Sequence, residues 1–124
     1  MASKSEPRRV VITGGAGYYG SVLCRQLLQA GYRVHVIDTL EYGPEPVMEL
    51  FINPNFSLTR GDVLDRELLH REIKGADAVV HLAALVGYPL CKKFPEKAWA
   101  VNVQGTRNVL EAMDPAQKLV YAST

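Results

Sequence analysis

Apolar and polar positions alternate along this chain in two rhythms, and the rhythm switches repeatedly. Val10-Val11-Ile12 is a continuous apolar run, as expected of a strand buried on both faces. From Val22 through Leu23, Leu27 and Leu28 the apolar positions recur at helical spacing, which predicts an amphipathic helix that Gly31 stops. Arg33-Val34-His35-Val36-Ile37 then reads as a second buried strand ending at Asp38. Residues 39–54 are irregular, carrying Pro44, Pro46 and Pro54 around a short helix expected at 47–51. Beyond them the pattern predicts a third strand over 56–60, a helix capped by Asp65 and running to Ile73, and a fourth strand over 78–82. A helix over 95–113 and a fifth strand over 119–122 complete the series. Strands joined by helical crossovers run parallel, and the crossovers are right-handed. The expected fold is therefore an α/β, doubly wound parallel sheet in the order 3-2-1-4-5, with a ligand crevice at the strand carboxyl ends.

Composition narrows this without changing it. With 124 residues, 48% of them hydrophobic, the chain buries one core, so 1–124 is expected to be a single domain. The net charge of +1 gives no general polyanion-binding surface, and Lys4, Arg8 and Arg9 read as solvated residues ahead of the first strand. Nucleic acid is not an expected partner. Cys24 and Cys91 lie in unrelated contexts without C-x-x-C spacing, so neither a disulfide nor a metal site is expected, and a reducing cytoplasm fits. No apolar run reaches membrane-spanning length, and Met1 to Arg9 is polar, so neither an anchor nor a secretory signal is expected.

Chemistry enters where the first strand ends. Gly14, Gly17 and Gly20 are spaced G-x-x-G-x-x-G between a strand and a helix. In that setting Gly14 permits the tight turn, Gly17 lets a pyrophosphate approach the backbone, and Gly20 lets the helix pack close to the sheet. The amides at the helix start, around Tyr18 and Tyr19, would face the phosphates. Taken alone, the triplet also fits a glycine-rich turn that binds nothing. Asp38 follows Gly20 at roughly the 20-residue spacing expected of a carboxylate that accepts both ribose hydroxyls. It would repel a 2′-phosphate, and no Arg follows at Thr39 or Leu40, which border the same adenosine, so NAD is expected rather than NADP. The signature is that of a Rossmann-type dinucleotide domain. Asp62 and Val63 follow the third strand, where they can address adenine, although Asp62 also fits a loop or capping carboxylate. Leu82, Ala83 and Ala84 would let backbone lie against the ribose and nicotinamide half. His35 and His81 read as packed, hydrogen-bonded strand residues, and Trp99 reads as core. Gly105, inside a helix, points to close packing or ligand approach.

Together, Thr13 to Gly20, Asp38, Asp62-Val63, His81-Leu82-Ala83-Ala84, Asn102-x-x-Gly105-Thr106 and Tyr121-Ala122-Ser123-Thr124 resemble the extended short-chain dehydrogenase/reductases, specifically the NAD-dependent epimerase/dehydratase family acting on nucleotide sugars. The resemblance covers nearly the whole chain and adds Asn102 to the cofactor-facing set. It implies a tightly held NAD that takes hydride from a sugar carbon and returns it. It also implies that Thr124 hydrogen-bonds the reacting sugar oxygen. The family's Tyr-x-x-x-Lys lies on a later helix, whereas this chain stops at Thr124. The string Tyr88-Pro89-Leu90-Cys91-Lys92 precedes the fifth strand, and Pro89 opposes helix through Tyr88, so it is not expected to be catalytic. These residues are therefore expected to be the N-terminal cofactor half of a longer enzyme and to show no turnover alone. A homodimer of that enzyme is left open. A non-catalytic dinucleotide-binding module or sensor, or a reductase of the same family, are the alternatives.

Overall fold

A computed structural model of the chain describes residues 8–83 and 92–122. Five strands, β1 (Arg9–Thr13), β2 (Arg33–Asp38), β3 (Phe56–Arg60), β4 (Ala78–His81) and β5 (Lys118–Tyr121), form one sheet in the order β3-β2-β1-β4-β5. Every pairing is parallel, with Val11 of β1 opposite His35 of β2 and Val79 of β4. The expected topology is the observed one.

The side-chain period of a strand divides the core into two layers. Val10 and Ile12 of β1 join Val34 and Val36 of β2 under α1 (Tyr18–Gln29), whose Cys24 is fully buried. Val11, Ile37 and Val79 face the other way, onto Leu69 and Ile73 of α2 (Arg66–Ile73) and Val109 farther along. Helix α2 begins where expected, because Asp65 Oδ1 accepts the Leu68 amide at 3.1 Å, a side-chain cap on an otherwise unpaired donor. The irregular segment after β2 contains a 3-10 helix at Glu45–Ile52, longer than the expected 47–51, and its Val47 and Leu50 close the first core layer.

Two sequence expectations are corrected here. The helix expected over 95–113 is three pieces: α3 (Pro95–Trp99), a π turn (Ala100–Gln104) and α4 (Gly105–Ala112). The Gly105 amide reaches back to the Ala100 carbonyl, five residues earlier, which is the hydrogen bond of a π turn. Trp99 is not core. It is 56% exposed, and the neighbouring Ala98 makes the buried contact, because α3 turns its small residue and not its large one inward.

Candidate functional site

The carboxyl ends of β1, β2 and β4 meet at the glycine turn, and that of β3 joins them through the Gly61 amide on the Asp38 carbonyl. Gly14 has φ +74°, and a Cβ there would also fall 2.8 Å from the Ala83 amide nitrogen, so both backbone conformation and the neighbouring strand demand glycine. Its N–H donates to the Ile37 carbonyl at 2.8 Å, which stitches the turn to β2. Gly20 packs against the turn and not the sheet: its Cβ would lie 2.6 Å from the Gly14 carbonyl oxygen and from Gly15 Cα. Gly17 behaves differently. Within 4 Å of its virtual Cβ lies only the Gly14 oxygen, at an ordinary 3.5 Å, so a side chain there would project into open space before the helix.

That space is lined by donors. Gly17 is the N-cap of α1, no side chain caps the helix and no acidic residue sits in its first turn. The first intrahelical bond runs from the Ser21 amide to the Gly17 carbonyl, so the amides of Tyr18, Tyr19 and Gly20 have no intrahelical acceptor. The Tyr18 and Tyr19 rings meet edge to face at 5.1 Å and are mostly exposed. An uncapped helix start with free amides and no acidic residue in its first turn suits an anion.

Asp38 stands at the end of β2 beside this turn. Its Oδ2 accepts the Ala16 amide at 3.0 Å and its Oδ1 accepts the Leu40 amide at 2.8 Å, which fixes the carboxylate plane. Each oxygen keeps a further lone-pair direction for a ligand hydroxyl. The second bond comes at a backbone cost, since Leu40 has φ +60°, an uncommon conformation for a side chain that packs on the core. After β3, Asp62 Oδ1 accepts the Leu64 amide at 3.0 Å, the local turn role foreseen as its alternative. Val63 is buried, and its carbonyl accepts Asn108 Nδ2 at 3.0 Å. Gln104 Nε2 in turn donates to Asn108 Oδ1 at 3.0 Å. Gly105 belongs to the same contact, because a Cβ there would lie 2.5 Å from Val63 Cγ2. Its role among the described residues is close packing.

Beneath the start of the β4 loop lies a hydroxyl–imidazole chain. Thr13, His81 and Thr106 are linked by Thr13 Oγ1 to His81 Nδ1 at 2.7 Å and His81 Nε2 to Thr106 Oγ1 at 3.0 Å. Thr106 donates its proton to the Asn102 carbonyl at 2.8 Å, so His81 Nε2 must be the donor to Thr106. His81 Nδ1 therefore accepts from Thr13. The two remaining lone pairs of Thr13 take the amides of Leu82 at 3.1 Å and Ala83 at 3.2 Å. One tautomer satisfies all three side chains, and burial pushes the His81 pKa down, in keeping with a neutral ring. Both His81 and His35 are buried and hydrogen-bonded, as expected. Lys97 of α3 reaches the Glu41 carboxylate at 3.2 Å, tying the helix after β4 to the loop after β2.

Gly14, Gly17, Gly20, Asp38, Leu40, Asp62, Val63, Leu82 and Ala83 thus lie on the loops and helix starts that follow four strand ends. Asn102 enters through its carbonyl on the π turn. Ala84, Tyr88, Cys91 and Thr124 lie outside the described residues. Sequence reading gave Thr13, Ala16 and Thr106, which lie within the motifs above, no role of their own, and it missed Asn108. Thr13 had a signal, a lone hydroxyl ending an apolar run just before the glycines; Asn108 sits among helical positions whose inward face shows only in the fold. Among the described residues there is no group of three or more His, Cys, Asp or Glu placed to hold a metal, and no helix long and apolar enough to cross a membrane.

A family model described as NAD dependent epimerase/dehydratase matches residues 10–124. UDP-glucose 4-epimerase of Streptomyces lividans is 38% identical, across 94% of this chain and 36% of its own length. The 3-beta-hydroxysteroid dehydrogenase of Mycolicibacterium neoaurum is 30% identical, across 94% of this chain and 32% of its own. Among solved structures, UDP-glucose-4-epimerase from Stenotrophomonas maltophila, with bound NAD and formylated UDP-arabinopyranose, superposes with a TM-score of 0.85 at 32% identity, covering 94% of this chain and 37% of that one. The chain spans about a third of the length of the curated relatives it matches.

Proposed function

Because this chain belongs to the NAD dependent epimerase/dehydratase family, we propose that it is the cofactor-holding part of an enzyme that epimerises or dehydrates a nucleotide sugar. The observation that carries the reading is the Asp38 carboxylate, held by two backbone amides beside an uncapped helix start. Asp38 would accept the adenosine ribose hydroxyls, and its charge would repel a 2′-phosphate. The Tyr18, Tyr19 and Gly20 amides would receive the diphosphate over the open face of Gly17. Thr13 and His81 act one layer back, orienting the Leu82 and Ala83 amides where the nicotinamide half would lie. Bound NAD supplies a hydride acceptor that later returns the hydride, so the sugar is changed without net oxidation. Thr124 would hydrogen-bond the reacting sugar oxygen; a hydroxyl of ordinary pKa orients that oxygen but does not serve as its base.

The similarity to a 3-beta-hydroxysteroid dehydrogenase favours a second reading, a dehydrogenase using the same cofactor half on another alcohol. Calorimetry on the full-length protein tests the shared premise. Asp38→Ala should weaken NAD binding by about 1–3 kcal/mol and reduce discrimination against NADP, since a charged acceptor is lost. An unchanged preference between the two cofactors would remove the assignment. Turnover with UDP-sugars against steroid alcohols then separates the two readings.

A further inference from the structure

A second polar cluster lies between the sheet and α2, toward the amino ends of the strands. His35 of β2 and Ser57 of β3 are register partners on adjacent parallel strands, so their side chains emerge on the same face. His35 Nδ1 lies 2.6 Å from Ser57 Oγ, and His35 Nε2 lies 2.7 Å from Glu72 Oε1 on α2. Glu72 is itself fixed: Thr59 Oγ1 donates to Oε1 at 3.1 Å and Arg71 Nε donates to Oε2 at 3.0 Å. An ionised carboxylate only accepts, so the ring proton sits on Nε2 and the Nδ1 lone pair faces the serine hydroxyl. Burial pushes the His35 pKa down despite the attraction of Glu72, which leaves the ring a free base at neutral pH.

Accessibility follows the same order as the chemistry would require. Ser57 is exposed on the edge strand, while the His35 and Glu72 side chains are only 11% and 16% exposed. Ser57 and His35 open on a cavity of about 140 Å³, lined also by Arg9, Arg33, Pro54 and Asn55. A nucleophile bonded to a base, and the base bonded to a fixed carboxylate, is the arrangement that activates a serine.

We propose that Ser57, His35 and Glu72 form a separate acyl-transfer site that hydrolyses small carboxylic esters held in this cavity. Ser57 Oγ attacks the ester carbonyl carbon while its proton passes to His35 Nδ1. The bond to the alcohol oxygen breaks, and that oxygen leaves with the proton from Nδ1. Water then attacks acyl-Ser57, giving one proton to Nδ1; the acyl–Oγ bond breaks and Oγ recovers the proton, so ester and water become acid and alcohol. Glu72 is a positioning residue that never takes the proton. Positive charge from Arg33 at the cavity wall favours the oxyanion that forms on the carbonyl.

The test uses the full-length protein with p-nitrophenyl acetate and, separately, a fluorophosphonate probe, the adduct being mapped by mass spectrometry. The adduct should form on Ser57, and Ser57→Ala should abolish both adduct and nitrophenol release in a protein that still melts cooperatively. His35→Gln should slow labelling on the order of 100-fold, the scale of a lost general base. The groups facing His35 are Glu72, Arg9, Arg33, Ser57 and Thr59, with Arg71 behind Glu72. Since Glu72 raises the ring pKa, Glu72→Gln should move the acid limb of the labelling profile to lower pH, a change that a purely structural carboxylate would not produce. Absence of any Ser57 adduct, or labelling of Ser57 equally fast in folded His35→Gln and in wild type, overturns the proposal. Should His35→Gln fail to fold, Ser57→Ala and the Glu72→Gln profile decide it.

Discussion

At the scale of single residues, the glycines of the first turn differ in what surrounds them, and their substitutions should separate accordingly. Gly20→Ala drives a methyl to 2.6 Å from the Gly14 oxygen and Gly15 Cα, both backbone, so it should destabilise the fold by about 1–3 kcal/mol, as overpacking does. Gly17→Ala meets only ordinary contact, so its melting curve should stay close to wild type while NAD affinity falls. Paired thermal melts and titrations check both, and full affinity in a folded Gly17→Ala protein would count against the phosphate cradle. Thr13→Val keeps the shape of a fully buried side chain but strands the Ala83 amide and His81 Nδ1, while the Leu82 amide keeps the Thr13 carbonyl. With each unsatisfied buried group costing about 1–3 kcal/mol, a marked drop in melting temperature is expected.

At the scale of elements, the contact that matters most for the site is between α4 and the loop after β3. Val63 sits against the bare Cα of Gly105 while Asn108 holds its carbonyl, so one helix fixes the loop that would meet adenine. Replacing glycine by alanine in an exposed helix gains about 1 kcal/mol of helix propensity. Here the methyl would come 2.5 Å from Val63 Cγ2, and the clash should outweigh that gain. Gly105→Ala should therefore lower stability, and adding Val63→Ala should recover part of the loss. A double-mutant cycle by denaturant unfolding measures the coupling; strictly additive effects would show that the two residues do not share this contact.

At the scale of the whole molecule, two neutral histidines are buried in one sheet, His81 under the glycine turn and His35 against α2. Burial depresses both pKa values below the ordinary 6.5. The unfolded chain then binds protons first on acidification, so this stability is fully present above about pH 6.5 and lost as pH falls toward the folded values. Glu72 acts in the same direction at lower pH: burial would raise its pKa, but hydrogen bonds from Arg71, Thr59 and His35 outweigh that and hold it below 4.5. Melting temperature should fall as pH drops from about 6.5 toward about 5. A flat profile over that interval would contradict the neutral, buried state of the rings.

What the sequence determined by itself was whatever depends on neighbours along the chain. The apolar periods of β1 through β5, the stop at Gly31 and the Asp65 cap are local, and crossover handedness then leaves β3-β2-β1-β4-β5 as the order. Asp38 and the three glycines were legible for the same reason, since their spacing to strand ends is a distance along the chain. Tertiary structure decided the partners. The amide of Ala16 reaches Asp38 across 22 residues and Asn108 reaches Val63 across 45, and no period encodes such meetings. The positive φ of Leu40 accompanies its bond to Asp38 two residues earlier, and the π turn before Gly105 interrupts a run whose period reads as one continuous helix. Ser57, His35 and Glu72 looked like an ordinary strand serine, strand histidine and helix glutamate until the sheet register and α2 put their polar atoms 2.6 and 2.7 Å apart. Period reports which face a side chain takes; only the packed fold reports what stands opposite it.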